Sequence, residues 1–169
     1  MAFVTEIQGN RVVIKGCTFG CKDCPTPELQ SFQRELIFEQ ELCIGCRRCV
    51  GTCQRKALQF DGNGITLDRK KCVICGRCVQ VCKGQALRTV GRNYSAGDLA
   101  RRLADETFDG KIIISGGEIL ALDQQYLQTL VKGLFDRGIS VSIETCGYRD
   151  NGGLEAISPY IDEFTFRRQ

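Results

Sequence analysis

One feature limits the possible folds of this 169-residue chain more than any other: a cysteine-bearing segment that occurs twice. ELCIGCRRCVGTCQRKAL returns 29 residues later as KKCVICGRCVQVCKGQAL, so Cys43, Cys46, Cys49 and Cys53 reappear as Cys72, Cys75, Cys78 and Cys82. Ala57-Leu58 likewise returns as Ala86-Leu87. The chain begins MAFVTEIQGNRVVIK, which lacks the basic-then-apolar pattern of an export signal. Its best apolar run, Ile112 to Ile114, is strand-sized rather than membrane-spanning. A reducing cytoplasm is then the expected address, and twelve cysteines there point to metal rather than to disulfides. No histidine is present, so thiolate, carboxylate or backbone must supply the ligands, and thiolate-only sets favour zinc or iron–sulfur clusters.

Each run reads C-x2-C-x2-C-x3-C. Twice over, this resembles the bacterial two-cluster ferredoxins, in which the fourth cysteine of each run ligates the other run's cluster. The resemblance implies the sets Cys43, Cys46, Cys49 with Cys82, and Cys72, Cys75, Cys78 with Cys53. Tight two-residue loops can wrap three corners of one cubane, while a chain continuing into a short helix points its next cysteine away. Gln54 and Lys83 stand where the ferredoxin run carries proline, a change that removes no ligand. A pair of zinc sites is the alternative, although zinc knots more often use paired C-x2-C knuckles.

Outside residues 36–90 the pattern alternates strand and helix. Arg11 to Lys15 reads as a short buried strand that ends at a cysteine loop. Ser95 to Glu106 reads as a serine-capped helix with Leu99, Ala100, Leu103 and Ala104 at helical spacing. Lys111 to Ile114 is a β-branched strand that stops at Ser115-Gly116-Gly117-Glu118. Leu122 to Arg137 is an amphipathic helix closed by Gly138. The strand Ile139 to Ile143 then runs into Glu144-Thr145-Cys146-Gly147. A short helix from Gly153 and a last strand, Ile161 to Phe166, follow. Such alternation predicts a parallel sheet with right-handed crossovers, whose ligands gather beyond the carboxyl ends of the strands. Three polar loops fall at those ends, which argues that they form one site.

The first of these loops holds Cys17, Cys21 and Cys24 in the spacing C-x3-C-x2-C. Three thiolates on a [4Fe–4S] cube leave one iron without a protein ligand, and an open coordination position suggests chemistry. This motif after a first strand resembles the signature of the radical S-adenosylmethionine (SAM) enzymes. The stretch from Tyr94 to Gly147, with SGGE and then ETCG at successive strand ends, resembles the activating enzymes of glycyl radical enzymes. Several members of that family carry a two-cluster ferredoxin insertion at this place. The resemblance runs from about Val12 to Ile161.

It implies an α/β fold: a truncated partial (β/α) barrel of the radical SAM type, residues 1–35 and 91–169, with 36–90 as an inserted ferredoxin-like domain. It implies three [4Fe–4S] clusters and SAM as cofactors. The amino and carboxylate groups of SAM would chelate the open iron at Cys17, Cys21 and Cys24. One electron into the sulfonium would break a carbon–sulfur bond, releasing methionine and a 5′-deoxyadenosyl radical that abstracts hydrogen from a backbone glycine of a partner enzyme. Reduced flavodoxin or ferredoxin is the implied electron donor. Gly116 and Gly117 match the glycines that let backbone approach the methionyl end, and Glu118 matches the carboxylate that pairs with the SAM amino group. Glu144 and Thr145 stand at the next strand end and are assigned a place beside SAM. Plainer readings remain for each: a zinc loop for the three cysteines, a simple turn for the glycine pair, a helix N-terminal charge for Glu118. Cys146 reads as a buried thiol, yet it is also the one spare thiol that could close the third cluster in place of SAM or a partner.

The sequence departs from the family in places. Asp23 stands before Cys24 where an aromatic residue is usual, and Ile119 follows Gly-Gly-Glu where proline is common. Only Gln8-Gly9-Asn10-Arg11 stands where the family has a glycine-rich entry with an arginine. The chain stops around its fourth strand, whereas the family barrel has six. An edge left open at 161–166 invites pairing, so a partner subunit there, or a longer parent chain, is expected. A second function class is therefore a three-cluster electron-transfer subunit on a degenerate radical SAM fold. A third is a radical SAM enzyme acting on a small molecule or another peptide. Counted with roughly −2 for each four-thiolate cluster and roughly −1 for the third, the formal charge of +3 falls to about −2. That leaves no charge argument for nucleic acid, and neither nucleic acid nor membrane is expected as a partner.

Overall fold

A computed structural model describes residues 1–62, 64–147 and 153–167. In chain order the elements are β1 (Ala2–Gln8), β2 (Arg11–Ile14), β3 (Glu35–Phe38), α1 (Arg48–Thr52), β4 (Leu58–Phe60) and β5 (Ile65–Leu67). There follow α2 (Arg77–Gln80), β6 (Leu87–Val90), β7 (Arg92–Tyr94), α3 (Ala96–Glu106), β8 (Lys111–Gly116) and α4 (Gln124–Phe135). The last are β9 (Ser140–Thr145), α5 (Gly153–Ile157) and β10 (Glu163–Phe166). The chain separates into two units, Met1–Gln33 with Gly91–Gln169, and Arg34–Val90. Among the described residues no helix is long and apolar enough to cross a membrane.

The first unit is built on a six-stranded sheet ordered β10-β9-β8-β2-β1-β7. β2, β8, β9 and β10 run parallel, joined through helices. The other two strands differ from the all-parallel expectation: β1 and β7 add antiparallel strands. The cause is local. Gly9 and Asn10 form a two-residue turn, with Gly9 at φ +55°, and the chain folds straight back so that Gln8 pairs with Arg11.

Val12, Ile14, Ile112, Ile114, Val141 and Ile143 project from one face of this sheet and are at most 1% exposed. Their alternation with partly exposed neighbours is the period of a strand with one buried face. α3 contributes Leu99 and Leu103, four residues apart, and α4 contributes Leu130 and Val131, four and three residues before Leu134, to the same core. Each such side chain, fully buried, contributes about 1.5–3 kcal/mol. Both helices start on side-chain caps: Ser95 Oγ accepts from Asp98 N–H, and Asp123 Oδ1 accepts from Tyr126 N–H.

The second unit repeats in three dimensions as it does in sequence. β3 pairs with β6 and β4 with β5, both antiparallel, so the leading strand of each repeat lies against the trailing strand of the other. Phe38 opposite Leu87 and Leu67 opposite Leu58 are the same pair under the 29-residue shift. The loop bonds exchange in the same way: Glu39 N–H donates to Ala86 O, and Asp68 N–H donates to Ala57 O, both at 2.8 Å. Backbone conformation follows suit. Gly45 and Ile74, Arg47 and Gly76, and Lys56 and Gln85 are three pairs 29 residues apart, and all six lie at positive φ. A β-branched residue such as Ile74 adopts that region only where its surroundings enforce it.

Candidate cofactor site

Among the described residues, four polar or charged side chains are buried: Lys15, Ser115, Glu118 and Thr145. All lie at or just beyond the carboxyl ends of β2, β8 and β9. Burying such groups is costly unless they are paired, and each has its partners here. Lys15 Nζ donates to the carbonyl of Glu28, at the turn that follows the three-cysteine loop. Gly16 N–H donates to Leu29 O at 2.7 Å and Cys17 N–H to Gln30 O at 2.9 Å, so the loop is closed at its base. Inside it, Gln30 Nε2 donates to Cys21 O. Cys17, Cys21 and Cys24 are all half-buried.

β8 reaches this loop through its glycines. Gly117 N–H donates to Ile14 O and Glu118 N–H to Gly16 O. A Cβ on Gly116 would stand 1.9 Å from Ile14 O, and one on Gly117 2.2 Å from Gly16 O. Gly116 also sits at φ +137°. The pair thus has a use that the sequence reading did not foresee: it lets the backbone of one strand end lie against that of the next.

Glu118 is wholly buried. Its Oε1 accepts from Thr145 Oγ–H at 2.6 Å and from Leu120 N–H at 3.0 Å, and its Oε2 accepts from Cys146 N–H at 2.8 Å. Thr145 Oγ1 in turn accepts from Gly147 N–H. In this arrangement the carboxylate ties the end of β9 to the end of β8 and has no exposed oxygen, unlike the SAM-facing carboxylate expected from the sequence.

Glu144 and Thr145 are adjacent in sequence but lie on opposite faces of β9. Thr145 joins Glu118, whereas Glu144 lies on the face opposite the helices. There Arg11 grips it through two bonds, Nη1 to Oε2 at 2.8 Å and Nη2 to Oε1 at 2.6 Å. Ser115 Oγ–H donates to the same Oε2, and Arg167 Nη2 approaches both Glu144 and Ser115. Burial, and then the nearby Arg11, hold the Arg167 guanidinium pKa below its ordinary value. Arg11, Lys15, Ser115 and Arg167 were not singled out from sequence. Arg11, Val13 and Lys15 alternate through β2, and that alternation was the one available signal that their side chains share a face.

The second unit holds the eight repeat cysteines. Cys53, Cys72, Cys75 and Cys78 line one cavity of about 230 Å³, so the structure brings the fourth cysteine of the first run to the first three of the second. In the other set, burial pushes the Cys49 thiol up, and negative charge at Cys82 and Cys46 adds to the effect. Burial likewise raises Cys78, with Cys72 and Cys75 beside it. Thiols in this position release their protons when a metal centre takes them. A cavity walled by four sulfur donors on left-handed turns suits a cubane cluster.

A model of the 4Fe-4S dicluster domain matches residues 42–96. The trans-4-hydroxy-L-proline dehydratase activating enzyme of Clostridioides difficile is 36% identical over 160 residues, 92% of this chain and 53% of that protein. The benzylsuccinate synthase activating enzyme of Thauera aromatica is 35% identical over 164 residues, 90% of this chain and 49% of that protein. The choline trimethylamine-lyase activating enzyme of Oleidesulfovibrio alaskensis is 29% identical over 163 residues, 92% and 52% of the two chains. The chain spans about half the length of these curated relatives. No solved structure matches it at a significant level. With the dicluster domain following the three-cysteine loop in sequence order, the chain is similar over most of its length to the activating enzymes of glycyl radical enzymes.

Proposed function

We propose that this chain cleaves SAM reductively at a [4Fe–4S] cluster held by Cys17, Cys21 and Cys24, and so generates a glycyl radical on a partner enzyme. Cys17, Cys21 and Cys24 would hold the cluster, and SAM bound there would supply, on one-electron reduction, the 5′-deoxyadenosyl radical and methionine. The observation that carries the reading is the gathering of the chain's buried polar side chains around the base of the three-cysteine loop. Lys15 and the Gly16–Leu29 bond hold that loop, and Gly116 and Gly117 bring backbone N–H and C=O groups against it. Glu118 and Thr145 keep the facing strand ends in place. The second unit's clusters, on Cys43, Cys46, Cys49 and Cys82 and on Cys72, Cys75, Cys78 and Cys53, relay electrons from reduced flavodoxin or ferredoxin. The protein works in the cytoplasm. A partner subunit covers the outer edge of β10.

The test is anaerobic reconstitution, reduction, addition of SAM and assay of 5′-deoxyadenosine. Product is expected, and a Cys17, Cys21 and Cys24 to Ala triple variant should lose it while keeping about eight of about twelve irons, four to each [4Fe–4S] cluster. One observation favours a second reading, a three-cluster electron-transfer subunit: the Glu118 carboxylate is fully committed to protein donors. Full iron loading with no 5′-deoxyadenosine would decide for that reading.

A further inference from the structure

The first three cysteines are unevenly spaced. Each repeat of the second unit reaches its first three cysteines through two-residue gaps. In the first unit the gap from Cys21 to Cys24 is also two residues and closes through a turn at Lys22 and Asp23. Thr18, Phe19 and Gly20 separate Cys17 from Cys21, however, and Gly20 sits at φ +61°. Each added residue brings two soft dihedrals, and a glycine brings the widest choice of them. The separation of Cys17 from Cys21 is therefore the one that the local chain fixes least.

Gln30 bonds both ends of this wider gap. Its carbonyl accepts from Cys17 N–H at 2.9 Å, and its side-chain Nε2 donates to Cys21 O at 3.2 Å. The residue is itself held in place. Its own N–H donates to Pro27 O at 3.2 Å, which makes it the cap of the short turn Pro27–Leu29. That turn is anchored in its turn, because Leu29 is buried and its carbonyl takes the Gly16 N–H. The backbones at Cys17 and Cys21 are thus both tied to one fixed point. Of the two ties, the one to Cys17 comes from backbone and survives any substitution of Gln30, whereas the one to Cys21 depends on the side-chain amide.

We infer that Gln30 is a positioning residue of the three-cysteine loop: its side-chain amide fixes Cys21 relative to Cys17, and so sets how firmly the loop keeps its cluster. This rests on the proposed reading that Cys17, Cys21 and Cys24 hold a cluster, and it does not require SAM cleavage.

The test uses the full chain, reconstituted anaerobically. Gln30→Met keeps the length of the side chain and loses its donor, and Gln33→Met, at an exposed neighbour, is the control. Iron release to a chelator is followed in time, with the iron of the second unit as internal standard. In Gln30→Met about four irons should leave about fivefold faster, the factor that one ordinary hydrogen bond is worth, and the rest at the wild-type rate. The electron paramagnetic resonance signal of the reduced third cluster is isolated by subtracting the spectrum of the Cys17, Cys21 and Cys24 to Ala triple variant. In Gln30→Met that signal should broaden as Cys21 gains freedom. The unfolding midpoint of the first unit should not move, and Gln33→Met should match wild type throughout.

Wild-type release and an unchanged signal in Gln30→Met overturn the inference. So does a lowered unfolding midpoint with an unchanged signal, which makes Gln30 an ordinary structural residue. Release from Gln33→Met as fast as from Gln30→Met overturns it too. If Gln30→Met does not fold, Gln30→Glu, with the native shape and an acceptor in place of the donor, decides by the same readings. A wild type that loads only about eight irons removes both this inference and the proposed function. One that loads about twelve yet makes no 5′-deoxyadenosine leaves this inference standing and removes the proposed function.

Discussion

The two units solve the problem of holding cysteines in opposite ways. Around the first, a cluster of twenty buried residues, from Ala2 to Ile157, makes a core of ordinary size, and the three-cysteine loop sits at its edge. Among the described residues of the second unit the buried cluster holds only Leu36, Cys49, Leu58, Ile65, Cys78 and Leu87, and two of those six are cysteines. Their charges differ as well. Residues 34–90 carry eleven Lys and Arg against five Asp and Glu, a net of +6, while the remainder carries twelve against fifteen, a net of −3. Two four-thiolate clusters would bring about −4 into the second unit. Its basic surface and missing core are thus both made good by the same groups. One unit folds around side chains; the other would need its clusters to finish its core, as small domains with little apolar interior commonly do.

The largest effect that would break this comparison concerns metal removal. Stripping the iron anaerobically with a chelator should abolish amide exchange protection throughout 34–90 while α3, α4 and β8 stay protected. Equal loss in both units would sink the contrast. Next comes Leu130→Ala, which opens the first unit's core at a fully buried position. It should cost about 2–5 kcal/mol in denaturant unfolding of that unit, with the iron of the second unit unchanged. Gly117→Ala drives a methyl group into Gly16 O, and overpacking of this kind costs about 1–3 kcal/mol. Iron analysis should find the loss confined to the cluster at Cys17, Cys21 and Cys24. Tyr126 tests the opposite direction. Its hydroxyl is buried with no protein partner among the described residues, and burial pushes its pKa up to about 12. Tyr126→Phe should therefore stabilise the first unit by about 1 kcal/mol, the lower end of the cost of an unmade bond.

The smallest effect is Ser95→Ala, at about 1 kcal/mol for a lost helix cap. The Ser95 hydroxyl, and after it Arg101, hold the Asp98 carboxyl below the usual carboxylate range. A depressed folded-state pKa gives stability that is full above the unfolded value and fades as pH falls through the folded one. The penalty for Ser95→Ala, followed by thermal melts, should accordingly shrink in acid.

Much of the fold was legible because it rests on periodicity. The repeat, both long helices and the strands β2, β8 and β9 follow from spacing of apolar residues and cysteines alone. β1 was missed although Gly9-Asn10 between alternating residues is a hairpin signal, and β7, three residues long, carries no pattern to read. The site was legible as three loops but not as a wiring diagram. Glu144 and Thr145 looked like one pair, yet neighbours on a strand face opposite ways, and only the register of β2, β8 and β9 reveals that Arg11 and Ser115 meet Glu144. Glu118 reads as an exposed charge by type. Its burial comes from Thr145 and the Cys146 amide 27 and 28 residues away, a long-range arrangement that no local pattern encodes.

The exchange of strands between the two repeats bears on how metal is loaded. On the proposed ligand sets, Cys53 must find Cys72, Cys75 and Cys78 across an intervening stretch of chain before a cluster forms, and that search costs loop-closure entropy. Once either cluster is in place, β3 meets β6 and β4 meets β5, and the remaining fourth cysteine is delivered to its set at a high effective concentration. Loading is then expected to be cooperative: native mass spectrometry of a population short of iron should find molecules with two clusters and molecules with none, and few singly loaded ones.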